Sequence, residues 1–466
     1  MKSLFSLLLV LALSGCASIH DPDHPGPKEI QGEQLGLQSS TIEWPLVQWW
    51  TRYNDPQLNR LIAEALQNSP SLAVAQARLN MANAAVEGAR AVQLPQLNAA
   101  YNQTRQRYSE NYIYPDPLGG SMETDASLRL NLGINLDLWG KNRARTAAAA
   151  SRAQASQAES QMARNALISA VTQSYFNLQN ALAQHDTVAK IVTQLEKVLA
   201  ITHDRVGAGL DTQVEINQAD SAVSSAKVQL NQINTNADLL RHQLASLLGA
   251  GPARGNDITL ATLAKPPAGI PEQLPMNLLG RRPDIVAAKL QVQAGSSEIS
   301  AAKAAFFPDI NLSAFAGFMS LGLSNLLQSG SQTYGVGPAI TLPIFNGGAL
   351  NAQLKGKQAE RDLAIANYNQ TLLTAVREVA DASTAIRALQ QQTIDQHASY
   401  RAISSAYDIA VRRYRSGLGN FVQVLLAQNE VQKQALLDTD IRVRAYNLDA
   451  QLATALGGGY DINTTH

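Results

Sequence analysis

One cysteine in 466 residues, Cys16, excludes an intrachain disulfide, so an exported protein of this length must hold itself together by packing. Net charge is also missing: 37 Lys+Arg balance 37 Asp+Glu, which removes the electrostatic footprint of a nucleic-acid binder. Charged residues are scarce at 16%, against about 25% in ordinary soluble domains, and aromatics stand at 5%. After the N-terminus no run reaches about eighteen apolar residues, so no transmembrane helix is expected and any membrane crossing must be by strands. The seven histidines (His20, His24, His185, His203, His242, His397, His466) are scattered, with no His-Glu-x-x-His pattern. No Gly-rich loop ends in Gly-Lys-Ser/Thr, so any ATP energy must come from a partner, and the six methionines are too dispersed for a copper path. The expectation is no enzyme, no cofactor and no metal.

What is present begins with a compartment signal. Lys2 precedes an apolar run from Leu4 to Leu13, long enough for a signal-peptide core and short of the roughly 20 residues that span a bilayer. The run ends in Leu13-Ser14-Gly15-Cys16, similar to a bacterial lipobox. Residues 1–15 are therefore expected to be cleaved and Cys16 acylated. By resemblance to sorted lipoproteins, Ala17 after the cysteine points to the outer membrane. Residues 16–56 follow as an N-terminal segment, with Trp44, Trp49 and Trp50 expected to anchor it against helices.

The remaining chain repeats itself. Pro70 and Pro95 are 25 apart (95 − 70), as are Pro283 and Pro308 (308 − 283). Gly209 and Gly249 are 40 apart (249 − 209), as are Gly417 and Gly457 (457 − 417). Gly209-Leu210-x-x-x-Val214 matches Gly417-Leu418-x-x-x-Val422, and Leu138-Trp139 stands where Ile344-Phe345 does. The chain thus reads as two repeats, 57–262 and 283–459, joined by a linker over 263–282 that contains Lys265-Pro266-Pro267, with a tail over 460–466.

Each repeat changes its hydrophobic period. Leu128, Leu130, Leu132, Ile134, Leu136 and Leu138 alternate with Arg129, Asn131, Gly133, Asn135 and Asp137, a period of two that places one oily face on a strand. Strands are expected over about 97–109 and 127–138 in the first repeat, and about 309–320 and 332–342 in the second, with Pro338 making the last less regular. Four such strands fit the length needed to cross a bilayer when tilted. Each pair is followed by a stretch without Pro, predicting long helices over 141–207 and 347–416. At 1.5 Å per residue such a helix runs roughly 100 Å and needs neighbours along its length. Segments near 70–93, 212–248, 283–306 and 420–456 can supply them.

Four strands cannot close a barrel in lipid, where an open edge leaves unpaired N–H and C=O groups. Several copies must share one barrel: a dimer would give eight strands and a trimer twelve, and only twelve leave appreciable room inside. The fold class expected is a mixed membrane β-barrel plus α-helical barrel, each repeat giving a β-hairpin, one very long helix and stacked shorter helices.

The two-repeat plan, the lipobox, Arg282-Pro283-Asp284, Leu342-Pro343-Ile344-Phe345-Asn346-Gly347-Gly348 and Arg413-Tyr414-Arg415-Ser416-Gly417 together resemble the TolC-like outer membrane factors, more narrowly the NodT-type lipoproteins of multidrug efflux. The resemblance implies a homotrimer with a twelve-strand barrel in outer-membrane lipid and a helical tunnel across the periplasm. It also implies a periplasmic adaptor (membrane fusion protein) and an inner-membrane pump of the RND or MFS type. Solutes would pass chemically unchanged. Type I protein secretion uses the same architecture; a lipidated periplasmic adaptor or scaffold would explain the helices but not the strands.

The family's periplasmic entrance lies at the turns after the long helices, here Arg205 to Thr212 and Arg412 to Phe421. Gly209 and Gly417 can take the left-handed conformation that ends a helix. Leu210 and Leu418 offer apolar knobs to an adaptor's hairpin, while Arg205, Arg413 and Tyr414 could either dock the adaptor or hold neighbouring turns shut. Relatives commonly carry an aspartate in a Leu-Asp-Ala-Gln setting after the second turn; here the stretch is Val424-Leu425-Leu426-Ala427-Gln428. The expected gate is therefore apolar, with Val422 and Leu426 converging to obstruct ions by dewetting. Asp211 and Glu215 are the candidates for an acidic ring from the first repeat, though as surface carboxylates they need no such role.

Overall fold

The structure, a computed structural model, describes residues 26–35, 44–263 and 278–460. Residues 1–15, expected to be cleaved, lie outside the described residues, as do Cys16, most of the linker and the tail after Tyr460. Among the described residues the chain forms two compact units, one centred on residues 78–157 and 287–368, the other on 30–77, 158–286 and 369–460.

The first unit contains the sheet. Strands β1 (Gln96–Arg107), β2 (Met122–Asn135), β3 (Asp309–Leu321) and β4 (Gln332–Thr341) pair antiparallel in the order β1-β2-β3-β4. The register aligns apolar with apolar: Leu97 faces Leu132, Tyr101 faces Leu128, Leu128 faces Phe318, and Ala314 faces Val336. Because side chains alternate, the other face collects Asn98 opposite Asn131, Asn102 opposite Ser127, and Arg129 opposite Gly317. The apolar face is bare in the single chain, with Tyr334 at 81% exposure. β1 and β4 are edges without a partner among the described residues.

β2 departs from the expected 127–138. It begins earlier, at Met122, where Glu123 and Asp125 continue the polar face but Thr124 and Ala126 stand at the oily positions and interrupt the signal that marked the strand. It ends earlier too, at Asn135, because Asp137 turns the chain (φ 24°) and its carboxylate accepts from the Asn142 and Arg143 amides, capping the next helix. β4 keeps Pro338 in register opposite Leu312, tolerable on an edge strand.

Besides a single turn at Leu278–Arg281, the α-helices among the described residues are α1 (Pro56–Asn68), α2 (Pro70–Ala91), α3 (Lys141–Gly207), α4 (Gln213–Leu247), α5 (Pro283–Ala304), α6 (Ala349–Arg415) and α7 (Phe421–Ala455). Equivalent helices of the two repeats have equal lengths: 22 residues for α2 and α5, 67 for α3 and α6, 35 for α4 and α7. The duplication read from four prolines and four glycines is thus a duplication of elements. α1 precedes α2 in the first repeat; Asp55 caps it by accepting from the Gln57 and Leu58 amides, with Pro56 at its first position.

The second unit holds the largest core. Leu58, Leu61 and Ile62 of α1 pack with Tyr175 and Phe176 of α3, Tyr446 of α7, and Trp49 and Trp50 of the N-terminal segment. Phe176 meets Tyr53 edge-on at 5.1 Å and Tyr446 at 4.8 Å. The Arg282-Pro283-Asp284 motif has a structural reason: Arg282 is buried and donates to Asp284, to Glu378 at 2.7 Å and to the Ala455 carbonyl at 3.1 Å. That triple tie fixes the start of α5 to α6 and α7.

Candidate functional site: the paired helix turns

Both long helices end in the same backbone device. Gly209 (φ 72°) and Gly417 (φ 76°) are left-handed. The next amide reaches back five residues, Leu210 to the Arg205 carbonyl at 2.9 Å and Leu418 to the Arg413 carbonyl at 2.8 Å. These bonds satisfy carbonyls the helix leaves open, as a Schellman end does. The helices that follow start from Thr212, whose side chain and amide exchange bonds with Glu215, and from Asn420, which accepts from the Gln423 amide. Hydrogen bonding to Thr212 holds the Glu215 carboxyl below the usual range.

The two turns are tied by three side chains. Arg205 grips Asp211 with two bonds, Nε to Oδ2 at 2.7 Å and Nη2 to Oδ1 at 3.1 Å, and donates from Nη1 to the Tyr414 carbonyl at 2.9 Å. The guanidinium stands over the Tyr414 ring at 4.5 Å. Tyr414 donates its hydroxyl proton to Asp211 Oδ2 at 2.5 Å, its oxygen lying 3.3 Å from Thr202 Oγ1. Arg205 and Asp211 side chains are 12% and 11% exposed, and Tyr414 is buried against Phe421. The electrostatics agree. The bond to Arg205 holds the Asp211 carboxyl below its ordinary range, and Asp211 raises the Arg205 guanidinium; burial, then the bond to Asp211, pushes the Tyr414 phenol up. Charge-assisted, bidentate pairs of this kind are among the strong hydrogen bonds.

The sequence candidates therefore separate into two sets. Arg205, Asp211 and Tyr414 meet, which makes Asp211 a member of the tie rather than a free carboxylate. Arg413 is exposed, and among the described residues its side chain donates to the Leu418 carbonyl at 3.1 Å. Leu210, Leu418, Val422 and Leu426 are exposed, the last two at 51% and 65%, one helical turn apart on α7. Thr202 was not singled out from sequence, and nothing local marks it. Thr212 and Glu215 form a capping box, which the spacing Thr-x-x-Glu signals in the sequence but which was not singled out from it.

A sequence profile of the family described as "Outer membrane efflux protein" matches residues 61–250 and 274–458, the two repeats. The chain belongs to the outer membrane efflux protein family. It is 32% identical to the "Multidrug resistance outer membrane protein MdtQ" of Escherichia coli O157:H7 over 98% of this chain and 97% of that protein. Among solved structures, the outer membrane protein VceC of Vibrio cholerae superposes with a TM-score of 0.85 at 35% identity, covering 90% of this chain and 100% of that one. The CmeC outer membrane channel of Campylobacter jejuni gives 0.86 at 25% identity, covering 95% and 94%. The bare apolar face and the 67-residue helices are accordingly the barrel and tunnel parts of a TolC-like channel in the outer membrane. The chain is an outer membrane efflux component and not an enzyme.

Proposed function

We propose that three copies of this chain, each anchored through an acylated Cys16, assemble into one passive conduit for drugs or other small solutes. Each copy gives four strands to a twelve-strand barrel. A periplasmic adaptor docks on the helix turns, and an inner-membrane pump of the RND or MFS type supplies the energy. The observation that carries this reading is the four-stranded sheet with two open edges and a bare apolar face. In a single copy the face is not tolerable in water and the open edges are not tolerable in lipid, whereas sharing a barrel pairs every edge and turns the face to hydrocarbon. Multidrug resistance in the names of the relatives favours solute efflux over protein secretion.

In this assembly the Arg205–Asp211–Tyr414 tie holds the two turns of a subunit together and keeps the periplasmic end narrow. Val422 and Leu426 from three subunits converge behind it as an apolar constriction. Leu210, Leu418, Gly209, Gly417 and Arg413 form the surface that meets the adaptor. The test is the single-channel current of purified protein in planar bilayers. Leu426→Ala should raise the closed-state current; an unchanged current would remove Leu426 from the gate.

A further inference from the structure

The polar face of the sheet holds a group that the efflux reading does not use. Arg129 of β2 stands opposite Gly317 of β3, a residue without a side chain. A Cβ at Gly317 would come within 2.1 Å of the Leu128 carbonyl oxygen and 2.7 Å of the Arg129 Cα, so the position is restricted to glycine. The Arg129 side chain passes over that gap between the neighbours of Gly317 on the same face. Its guanidinium lies 5.4 Å from the Phe315 ring, and Nη2 is 2.9 Å from Met319 Sδ. Phe315 in turn lies over Gly335 of β4, where a Cβ would meet the ring at 2.9 Å. Two glycines thus seat an arginine on an aromatic ring and a thioether.

What the guanidinium lacks matters as much. Its Nε is buried with no hydrogen-bond partner, and among the described residues no carboxylate pairs with it. On this face the other charged residues of the strands are Glu123, Asp125 and Asp309, all acidic and all nearer the strand ends. Asp125 is four residues along β2, about 13 Å at 3.3 Å per residue, beyond pairing distance. A partly buried guanidinium with soft neighbours and spare N–H groups retains its demand for an anion.

We infer that Arg129, Phe315 and Met319 form a binding station on the inner wall of the barrel for organic anions. The solutes are those that join a carboxylate or sulfonate to a flat apolar body. The acid takes the Nη N–H groups of Arg129, the side of the guanidinium away from the buried Nε, and the apolar body lies on Phe315 and Met319. The inference rests on the channel reading for its place in the lumen, with three stations per trimer.

The test uses the full chain in nanodiscs, with 6-fluoronaphthalene-2-sulfonate as probe and its fluorine NMR linewidth as readout. The neutral 6-fluoro-2-naphthol serves as comparison, and copy number is measured on the same sample. The sulfonate should bind more tightly than the naphthol, and Arg129→Gln should weaken it at least about tenfold, the factor for loss of roughly 1.5 kcal/mol from a charged hydrogen bond. Phe315→Leu, which keeps the charge, should weaken the naphthalene probe while leaving a competing acetate unaffected. Equal binding of sulfonate and naphthol, or full affinity in Arg129→Gln, would overturn the station. Should Arg129→Gln fail to assemble, full probe affinity in Phe315→Leu would overturn it instead. A trimer that binds no probe sinks the station and leaves the channel standing; a monomer that binds it sinks the channel reading and leaves the station.

Discussion

The turn after α3 and the turn after α6 share a backbone and little else. Both end a 67-residue helix with a left-handed glycine followed by an exposed leucine, and both open a 35-residue helix. The first carries Arg205, Asp211 and a Thr212–Glu215 capping box; at the equivalent positions, 208 residues on (417 − 209), the second has Arg413, Gly419, Asn420 and Gln423. One turn is therefore ionic. The other supplies Tyr414, Phe421, Val422 and Leu426, an aromatic clasp and an apolar face. Duplication fixed the geometry, and divergence then let one copy hold what the other offers, so the tie needs both repeats.

The most severe way to break this asymmetry is Asp211→Asn. It removes the carboxylate charge and turns one of the two accepting oxygens into an NH2 donor, so Arg205 and Tyr414 compete for the single oxygen left, and loss of charged hydrogen bonds worth about 1.5–3 kcal/mol should raise the open population roughly tenfold or more. Bilayer current reads the change directly; a current equal to that of the unaltered protein would mean the turns are held by Phe421 packing alone. Next come Gly209→Ala and Gly417→Ala. No neighbouring atom lies within 4 Å of a Cβ at Gly209, and at Gly417 only Arg205 approaches, at 3.9 Å. Each should therefore lose only the left-handed backbone penalty of about 1–2 kcal/mol, in equal measure, by thermal unfolding; unequal losses would show that the two backbones are not equivalent.

Tyr414→Phe keeps the ring under Arg205 and deletes one donor, so the expected effect is about 1 kcal/mol, or roughly a fivefold rise in current. A rise matching that of Asp211→Asn would make Tyr414, not Arg205, the main holder. The smallest effect is that of pH. Asp211 sits below its ordinary value when folded, so its contribution is complete above the ordinary carboxylate range near 4 and disappears only as pH falls through the lowered value. Current should accordingly be flat from about pH 7 to 5 and rise only below about 4; a rise near pH 6 would implicate a histidine instead.

The long-range plan was legible in the sequence because its signals are local and repeated. Proline-free tracts mark α3 and α6 almost to the residue, and a period of two marks the middle of β2. Where the signals weaken, so does the reading: Met122 to Ala126 joins the sheet through backbone pairing with β1, while its side chains mix acids with small residues. Leu136 and Leu138 continue the oily alternation after the strand has ended, since Asp137 serves the helix cap. The candidate site was legible as a set of residues but not as an arrangement. Arg205 and Asp211 are six apart, yet Tyr414 joins them from 203 residues away, and no spacing rule connects positions brought together by helix packing. The Arg129 station is hidden for the same reason, being built from two strands of different repeats over a third position that is empty of side chain.

The central claim is that one copy of this chain is a fraction of a pore. The most direct measurement is native mass spectrometry of the protein extracted from outer membranes in mild detergent. The account gives a complex of three identical chains that dissociates on heating, since each sheet edge needs a neighbour. A stable single chain with β1 and β4 unpaired would contradict it.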